Sequence, residues 1–282
     1  MIADGYDAFL LDLDGVLYRG DQPIAHAAAS VKALRALGKR VAFVTNNSSR
    51  TPEAVVAHLA SVGVAADVAE VETSGLTTAE ALAGRGVTTA LVVGEDGLRA
   101  ALTAAGILEA DPDQVPDAVV VGWDRTLTYE TLRAASIAVQ RGAALVASNA
   151  DASYPAPDGL TWPGAGAIVA ALEAATERPA EVFGKPNAPI LQAALARAGG
   201  GRPLVVGDRV GTDIEGARRL RWDSMLVLTG ISSRHDLQAA GIAATYVVED
   251  LSALVEEQTA LPDYAEGNDG RGATDGQDAG RA

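Results

Sequence analysis

Aspartates stand where buried strands should end. In "AFLLDLDGVLYRG" an apolar run stops at Asp12, Asp14 follows two residues later, and the chain turns at Gly15. In "PLVVGDRVGTD" a second run stops at Gly207-Asp208, and Asp213 stands where the next helix opens. If these ends meet, several carboxylates share one small space. Two unit charges ~4 Å apart repel by roughly 4 kcal/mol at an effective dielectric near 20. Such a cluster needs protons or a cation, and a hard, oxygen-rich site favours Mg²⁺. Lys185, in "FGKPN", is one of only three lysines among 22 basic residues. Its compact charge, held in a tight Gly-Lys-Pro segment, suits pairing with a nucleophilic carboxylate and a phosphoryl oxygen together. "TNNSSR" (45–50) adds hydroxyl and amide donors, headed by Thr45 and Asn46, at the end of another apolar run. Groups of that kind meet phosphate oxygens well.

The elements that must position these groups are legible as alternating patterns. "AFLL", "VAFV", "PLVV", "MLVLT" and "TYVV" are short runs apolar on both faces, as buried parallel strands require. Thr51-Pro52-Glu53 reads as an N-cap, a proline in the first turn and an acid beside it, with Gly63 as the stop. Ile190, Leu191, Ala194, Leu195 and Ala198 recur at helical spacing before Gly199-Gly200, and Ile214, Ala217 and Leu220 do so after Asp213. Alternation of this kind predicts right-handed βαβ units and an open parallel sheet, hence the α/β class with a Rossmann-like core. The stretch 76–179 carries its own strands, "TTALVVG", "AVVVGW" and "AALVAS", with helices near 129–141 and 164–176. It reads as a second α/β unit inserted between the second and third strands of the first. The expected organisation is a core of 1–75 and 180–261, the insert 76–179, and a tail 262–282 too poor in large apolar side chains to order itself. Ligands of open α/β sheets bind beyond the carboxyl ends of the strands, so Asp12, Thr45 and Asp208 should face one mouth.

Composition narrows the classes. The 282 residues carry a formal net charge of −15 and 48% hydrophobic residues, enough for a core. Such acidity argues against nucleic acid or an anionic membrane as partner, and it obliges any anionic substrate to find a local positive site. There is no cysteine, which excludes disulfides and Cys-ligated metal and fits a reducing cytoplasm. No signal peptide and no bilayer-spanning apolar stretch is seen.

Each motif alone has a plainer explanation: an Asx turn at Asp12–Gly15, a loop at "TNN", a turn with an N-cap at "GDRVGTD". Their order, at strand ends, is what argues for a site. The set resembles the haloacid dehalogenase-like hydrolase superfamily, with "DLDGVLYRG", "VTNN", "GKP" and "GDRVGTD" matching its four motifs over about residues 6–251. "VVVGWDRTLTYETL", "SNADASYP", "PGAGAIVAALE" and "GKPNAPI" are similar to the NagD-like and 4-nitrophenylphosphatase subfamily, which carries a large α/β cap between motifs two and three.

That resemblance implies a phosphatase of small phosphomonoesters. Asp12 would be the nucleophile that forms an aspartyl-phosphate, and Asp14 the acid and base. Mg²⁺ would be held by Asp12, the Asp14 main-chain carbonyl and Asp208, with Asp213 behind it in contact with metal-bound water. Thr45, Asn46 and Lys185 would bind the phosphoryl group. The acid at position 14 separates phosphatases from the dehalogenases of the superfamily. Tyr154 stands where pyridoxal-phosphate phosphatases carry a histidine, so it is the expected specificity residue; the competing expectation is that it packs inside the cap. The Ala- and Arg-rich, Lys-poor composition is similar to that of actinobacterial members, among which glycerol 3-phosphate phosphatases are known. Glycerol 3-phosphate is therefore the first substrate expected, with 5′-nucleotides, sugar phosphates and pyridoxal phosphate as alternatives. A catalytically silent binding protein on the same fold is the rival from another class, and a receiver-type signalling domain would not need so large a cap. Caps of this family often join two copies, so a homodimer belongs to the expectations. Trp123 and Tyr129 are expected in the cap core, Arg209 in a structural ion pair, and His26, His58 and His235 outside the chemistry.

Overall fold

The computed structural model describes residues 1–111, 114–155 and 160–257, so the tail expected at 262–282 lies outside the described residues. Six parallel strands form the core sheet in the order Tyr246–Val248, Asp223–Val227, Pro203–Gly207, Ala8–Leu11, Arg40–Thr45 and Val71–Thr73. Ala8–Leu11 lies at the centre, with Leu10 opposite Val205 on one side and Ala42 on the other. Its four side chains are all buried because helices cover both faces. Phe9, Leu11 and Phe43 pack on one face, while Leu10, Val44 and Val205 pack on the other against Ile190 and Leu191. Helix Pro52–Ser61 starts as its sequence requires, with the Thr51 side chain accepting from Ala54 N and Pro52 in the first turn.

A second parallel sheet, in the order Glu181–Val182, Ala144–Ala147, Ala118–Val121, Thr89–Val93 and Leu108–Glu109, forms the cap. Its helices Tyr129–Gln140 and Ala165–Thr176 lie on one face, around Val119, Val121 and Val169. The insertion point differs from the expectation. The core acquires a third strand, Val71–Thr73, before the chain leaves for the cap, so the insert follows three core strands and not two. That strand is three residues long and centred on Glu72, which no apolar pattern announces. On the return, Glu181–Val182 still pairs with the cap strand Ala144–Ala147 before Phe183 leads back to the core.

Two aromatic expectations are corrected. Tyr129, at the first turn of its helix, is 79% exposed rather than in the cap core. Trp123 is half-buried just past the strand Ala118–Val121 and faces the cavity between cap and core.

Candidate active site

The three central core strands place their carboxyl ends side by side, and each ends in a polar residue. Asp12 follows Leu11, its N–H bonded to Val206 O at 2.9 Å. Thr45 closes its strand, and Asp208 follows Gly207. Asp213 stands in the π-helical turn Val210–Ile214 that leads into the next helix. Oxygens of Asp12, Asp208 and Asp213 lie within 4.8 Å of one another. The Asp14 carboxylate is not part of that group.

Lys185 is 4% exposed and reaches this cluster from the segment that returns from the cap. Its Nζ donates to Asp12 Oδ1 and to Asp213 Oδ1, both at 2.6 Å, and to Val44 O at 3.4 Å. Burial alone would lower its pKa, but the two carboxylates outweigh that and raise it, so it stays an ammonium. Burial lifts the Asp12 carboxyl to about 8, with Asp213 and Asp208 adding repulsion and Lys185 opposing. Burial, then Asp213, lifts Asp208 to about 6. Asp14 is also raised by burial, against the pull of Arg209. A carboxyl that holds its proton longer is suited to act as a general acid.

Three carboxylates against one lysine leave the cluster short of positive charge. Asp208 makes the deficit explicit: Oδ2 accepts from Ile231 N at 2.8 Å, while Oδ1 is buried with no hydrogen-bond partner among the described residues. Gly230 and Gly15 form its cradle, since a Cβ on either would lie 2.0 or 2.4 Å from Asp208 Oδ2. Gly15 also has φ +82, which side chains avoid. An oxygen-only donor set with an orphaned carboxylate oxygen fits a hard divalent cation such as Mg²⁺.

Above the cluster lies a cavity of about 80 Å³, bounded by Asp12, Asp14, Thr45, Asp151, Trp123 and Tyr154. Tyr154 and Trp123 stack over it with ring centroids 4.4 Å apart, and Arg125, paired with Glu95, lies over the Trp123 ring. Tyr154 also borders a larger vestibule of about 570 Å³ that reaches Tyr18, Arg50, His58 and Arg209. Tyr154 thus faces both spaces rather than the cap interior. Arg209 makes no ion pair among the described residues, against the expectation; its charge is turned toward Asp14 and the cavities. His58 is held by Gly20 O at 3.0 Å and by the Tyr18 ring, outside the carboxylate cluster.

Thr45 and Asn46 border the same cavity, but the Asn46 side chain is already engaged. Its Nδ2 donates to Lys185 O and Asp151 Oδ1, and its Oδ1 accepts from Lys185 N. Its main-chain N–H meets no acceptor among the described residues. Asp151 was not singled out in the sequence; the Asn-x-Asp of "SNADASYP" was the available signal.

Comparison with known proteins agrees with this geometry. The haloacid dehalogenase-like hydrolase profile matches residues 9–108, and a second hydrolase profile of the same kind matches residues 182–254. A D-glycerol 3-phosphate phosphatase of Mycobacterium tuberculosis is 39% identical over 265 residues, 92% of this chain and 74% of the relative. The chain belongs to the haloacid dehalogenase-like hydrolases. An acid sugar phosphatase of Staphylococcus saprophyticus is 36% identical, over 89% of this chain and 98% of its own. Among solved structures, a glycerol phosphate phosphatase of M. tuberculosis in complex with magnesium matches with a TM-score of 0.84 at 39% identity, covering 90% of this chain and 77% of that one. A 4-nitrophenylphosphatase from Thermotoga maritima gives the same TM-score at 34% identity, over 90% and 98%. No helix among the described residues is long and apolar enough to cross a membrane.

Proposed function

We propose that this phosphoric monoester hydrolase acts on small polyol phosphates, glycerol 3-phosphate first. The observation that carries the reading is the buried Lys185 ammonium between Asp12 and Asp213, directly below a small chamber that Asp14 also faces. Asp12 attacks phosphorus and forms an aspartyl-phosphate, while Asp14 gives its proton to the leaving alkoxide and later takes one from water. The Thr45 hydroxyl, the Asn46 main-chain N–H and Lys185 Nζ meet the equatorial oxygens. Asp12, the Asp14 main-chain carbonyl and Asp208 would hold Mg²⁺, with Asp213 behind. When bound, Mg²⁺ supplies the positive charge that phosphoryl transfer needs around those oxygens.

The leaving group occupies the chamber under Trp123 and Tyr154. Its narrow space of about 80 Å³ suits a short polyol better than a nucleoside. The glycerol-phosphate and sugar-phosphate activities of the relatives support this choice and leave sugar phosphates as the second reading. We place the enzyme in the cytoplasm, as a chain without cysteine. We include a homodimer in the proposal, for which exposed Leu108 and Tyr129 of the cap offer apolar surface and sedimentation velocity is the test. Phosphate release with Mg²⁺ from glycerol 3-phosphate, sugar phosphates, nucleotides, phosphoglycolate and pyridoxal phosphate tests the substrate. Glycerol 3-phosphate should give the highest kcat/KM; release from none, unchanged by Asp12→Asn, would leave a silent binding protein.

A further inference from the structure

Both Nδ2 protons of Asn46 are spent, so its side chain has no donor left for a phosphate. One goes to Lys185 O at 3.0 Å and the other to Asp151 Oδ1 at 3.1 Å, while Asn46 Oδ1 accepts from Lys185 N at 2.8 Å. A single carboxamide therefore grips the N–H and the C=O of Lys185 together. Such a two-point grip fixes the main chain from which the ammonium is projected. Gly184 makes the approach possible: a Cβ there would lie 2.7 Å from Asn46 Oδ1 and 2.6 Å from Ser148 O.

The third bond of the carboxamide crosses to the cap. Asp151 follows the cap strand Ala144–Ala147, and its carboxylate has no lysine or arginine partner among the described residues. Its pKa is raised by burial, with the hydrogen bond from Asn46 as the largest opposing influence. A half-buried carboxylate without a cation is costly, and the hydrogen bond from the Asn46 amide offsets part of that cost. Neighbouring bonds keep the two sides in register. Asn149 Nδ2 donates to Asn46 O at 2.7 Å, Ser74 Oγ donates to the same oxygen at 2.6 Å, and Ser48 Oγ lies 2.8 Å from Ser148 Oγ.

We propose that Asn46 and Asp151 form a clasp through which the cap holds Lys185 in its working position between Asp12 and Asp213. The Asn46 side chain is a positioning group in this arrangement and not a phosphate ligand. The inference rests on the reading of Lys185 as the phosphoryl-binding cation. Displacements on the order of 1 Å in a catalytic group cost about a hundredfold in rate. Without the bond to Asp151, the Asn46 carboxamide keeps its two bonds to Lys185 but loses the contact that ties it to the cap.

The test uses the full chain and the variants Asn46→Ala, Asp151→Ala, Asp151→Asn and the double alanine, with two readouts. The first is amide hydrogen exchange at Lys185, whose N–H bonds directly to Asn46 Oδ1. The second is kcat and KM for the best phosphate ester with Mg²⁺. Asn46→Ala should speed Lys185 exchange at least ~10-fold and lower kcat about a hundredfold, with a smaller rise in KM. Asp151→Ala should do both to a lesser degree. Asp151→Asn keeps an oxygen for Asn46 and should stay within about threefold of wild type. The double alanine should be no slower than Asn46→Ala, because Asp151 acts through Asn46. The clasp is overturned if Asp151→Ala leaves exchange and kcat unchanged, or if the two alanine effects multiply. It is equally overturned if Asn46→Ala raises KM alone while the Lys185 amide stays protected. Should Asn46→Ala not fold, the Asp151 pair still decides. If wild type releases phosphate from no ester, the functional reading fails, while the exchange rates still judge the clasp.

Discussion

Asp208→Asn should make the metal-free protein more stable while destroying its function. The buried Asp208 carboxylate has one oxygen on Ile231 N and one with no partner, and it faces Asp213. Its pKa rises from 3.8 to about 6 on folding. That difference corresponds to roughly 3 kcal/mol of penalty for the charged form. The sign follows from linkage. A carboxyl whose folded pKa is raised costs stability in full above about 6 and nothing well below 3.8, where both states hold the proton. Asparagine keeps the acceptor for Ile231 N, carries no charge, and presents its NH₂ to neighbouring carboxylates. In EDTA at pH 8 the variant should gain about 3 kcal/mol, shrinking to roughly 1.5 kcal/mol at pH 5. Urea unfolding at the two pH values measures this. Mg²⁺ at a hundred times its Kd should return about 2.7 kcal/mol to wild type and little to the variant. The reasoning is refuted if the variant is less stable than wild type in EDTA at pH 8, if the gain does not shrink toward pH 5, or if Mg²⁺ stabilises both alike.

Asp14→Asn should lower kcat on alkyl phosphates by about 10²–10⁴-fold; with 4-nitrophenyl phosphate, whose leaving group needs no proton, stopped-flow should show a burst of nitrophenolate before slow turnover. Gly230→Ala puts a Cβ 2.0 Å from Asp208 Oδ2, so calorimetric titration should show Mg²⁺ affinity reduced at least ~10-fold in a chain that still unfolds cooperatively. Trp123→Ala removes the stack on Tyr154, worth roughly 1 kcal/mol, and opens the chamber; steady-state kinetics should show aryl phosphates gaining several-fold in kcat/KM relative to glycerol 3-phosphate.

The parts of the site that were legible in sequence are those set by strand physics. A strand covered on both faces reads as an apolar run, and the first polar residue after it marks the carboxyl end. Asp12, Thr45 and Asp208 were found that way, and the structure brings all three to one mouth. Val71–Thr73 is hidden because three residues around a buried glutamate, paired with Arg197 and hydrogen-bonded by Thr77, show no period. Trp123 and Tyr129 were misplaced because aromatic character says nothing about which side of a helix or loop faces a cavity. The occupied state of the Asn46 side chain was beyond reach for a different reason. Its two partner residues, Asp151 and Lys185, lie 105 and 139 residues away, and only the folded chain sets them beside it.

The charge of the protein poses a problem that the site solves locally. A chain of net charge −15 with Asp12, Asp14, Asp151, Asp208 and Asp213 around its catalytic mouth should repel a phosphate dianion. Lys185 cannot attract it from solution, since it is 4% exposed and already shared by Asp12 and Asp213. Most surface arginines are spent on glutamates and aspartates elsewhere, as in the pairs of Arg85, Arg99, Arg125 and Arg218. Arg50 and Arg209 are different: they border the vestibule together, and neither forms an ion pair among the described residues. Their guanidinium charges act on Asp14 across that space. A cleft with low-dielectric walls concentrates the field of the charges that line it, while carboxylates beyond about 8–10 Å are largely screened. The vestibule sets Arg19, Arg50 and Arg209 against Asp14, Asp21 and Asp208, so its lining is balanced where the chain as a whole is strongly acidic, and the remaining positive charge for an anionic substrate must come from Lys185 and a bound cation.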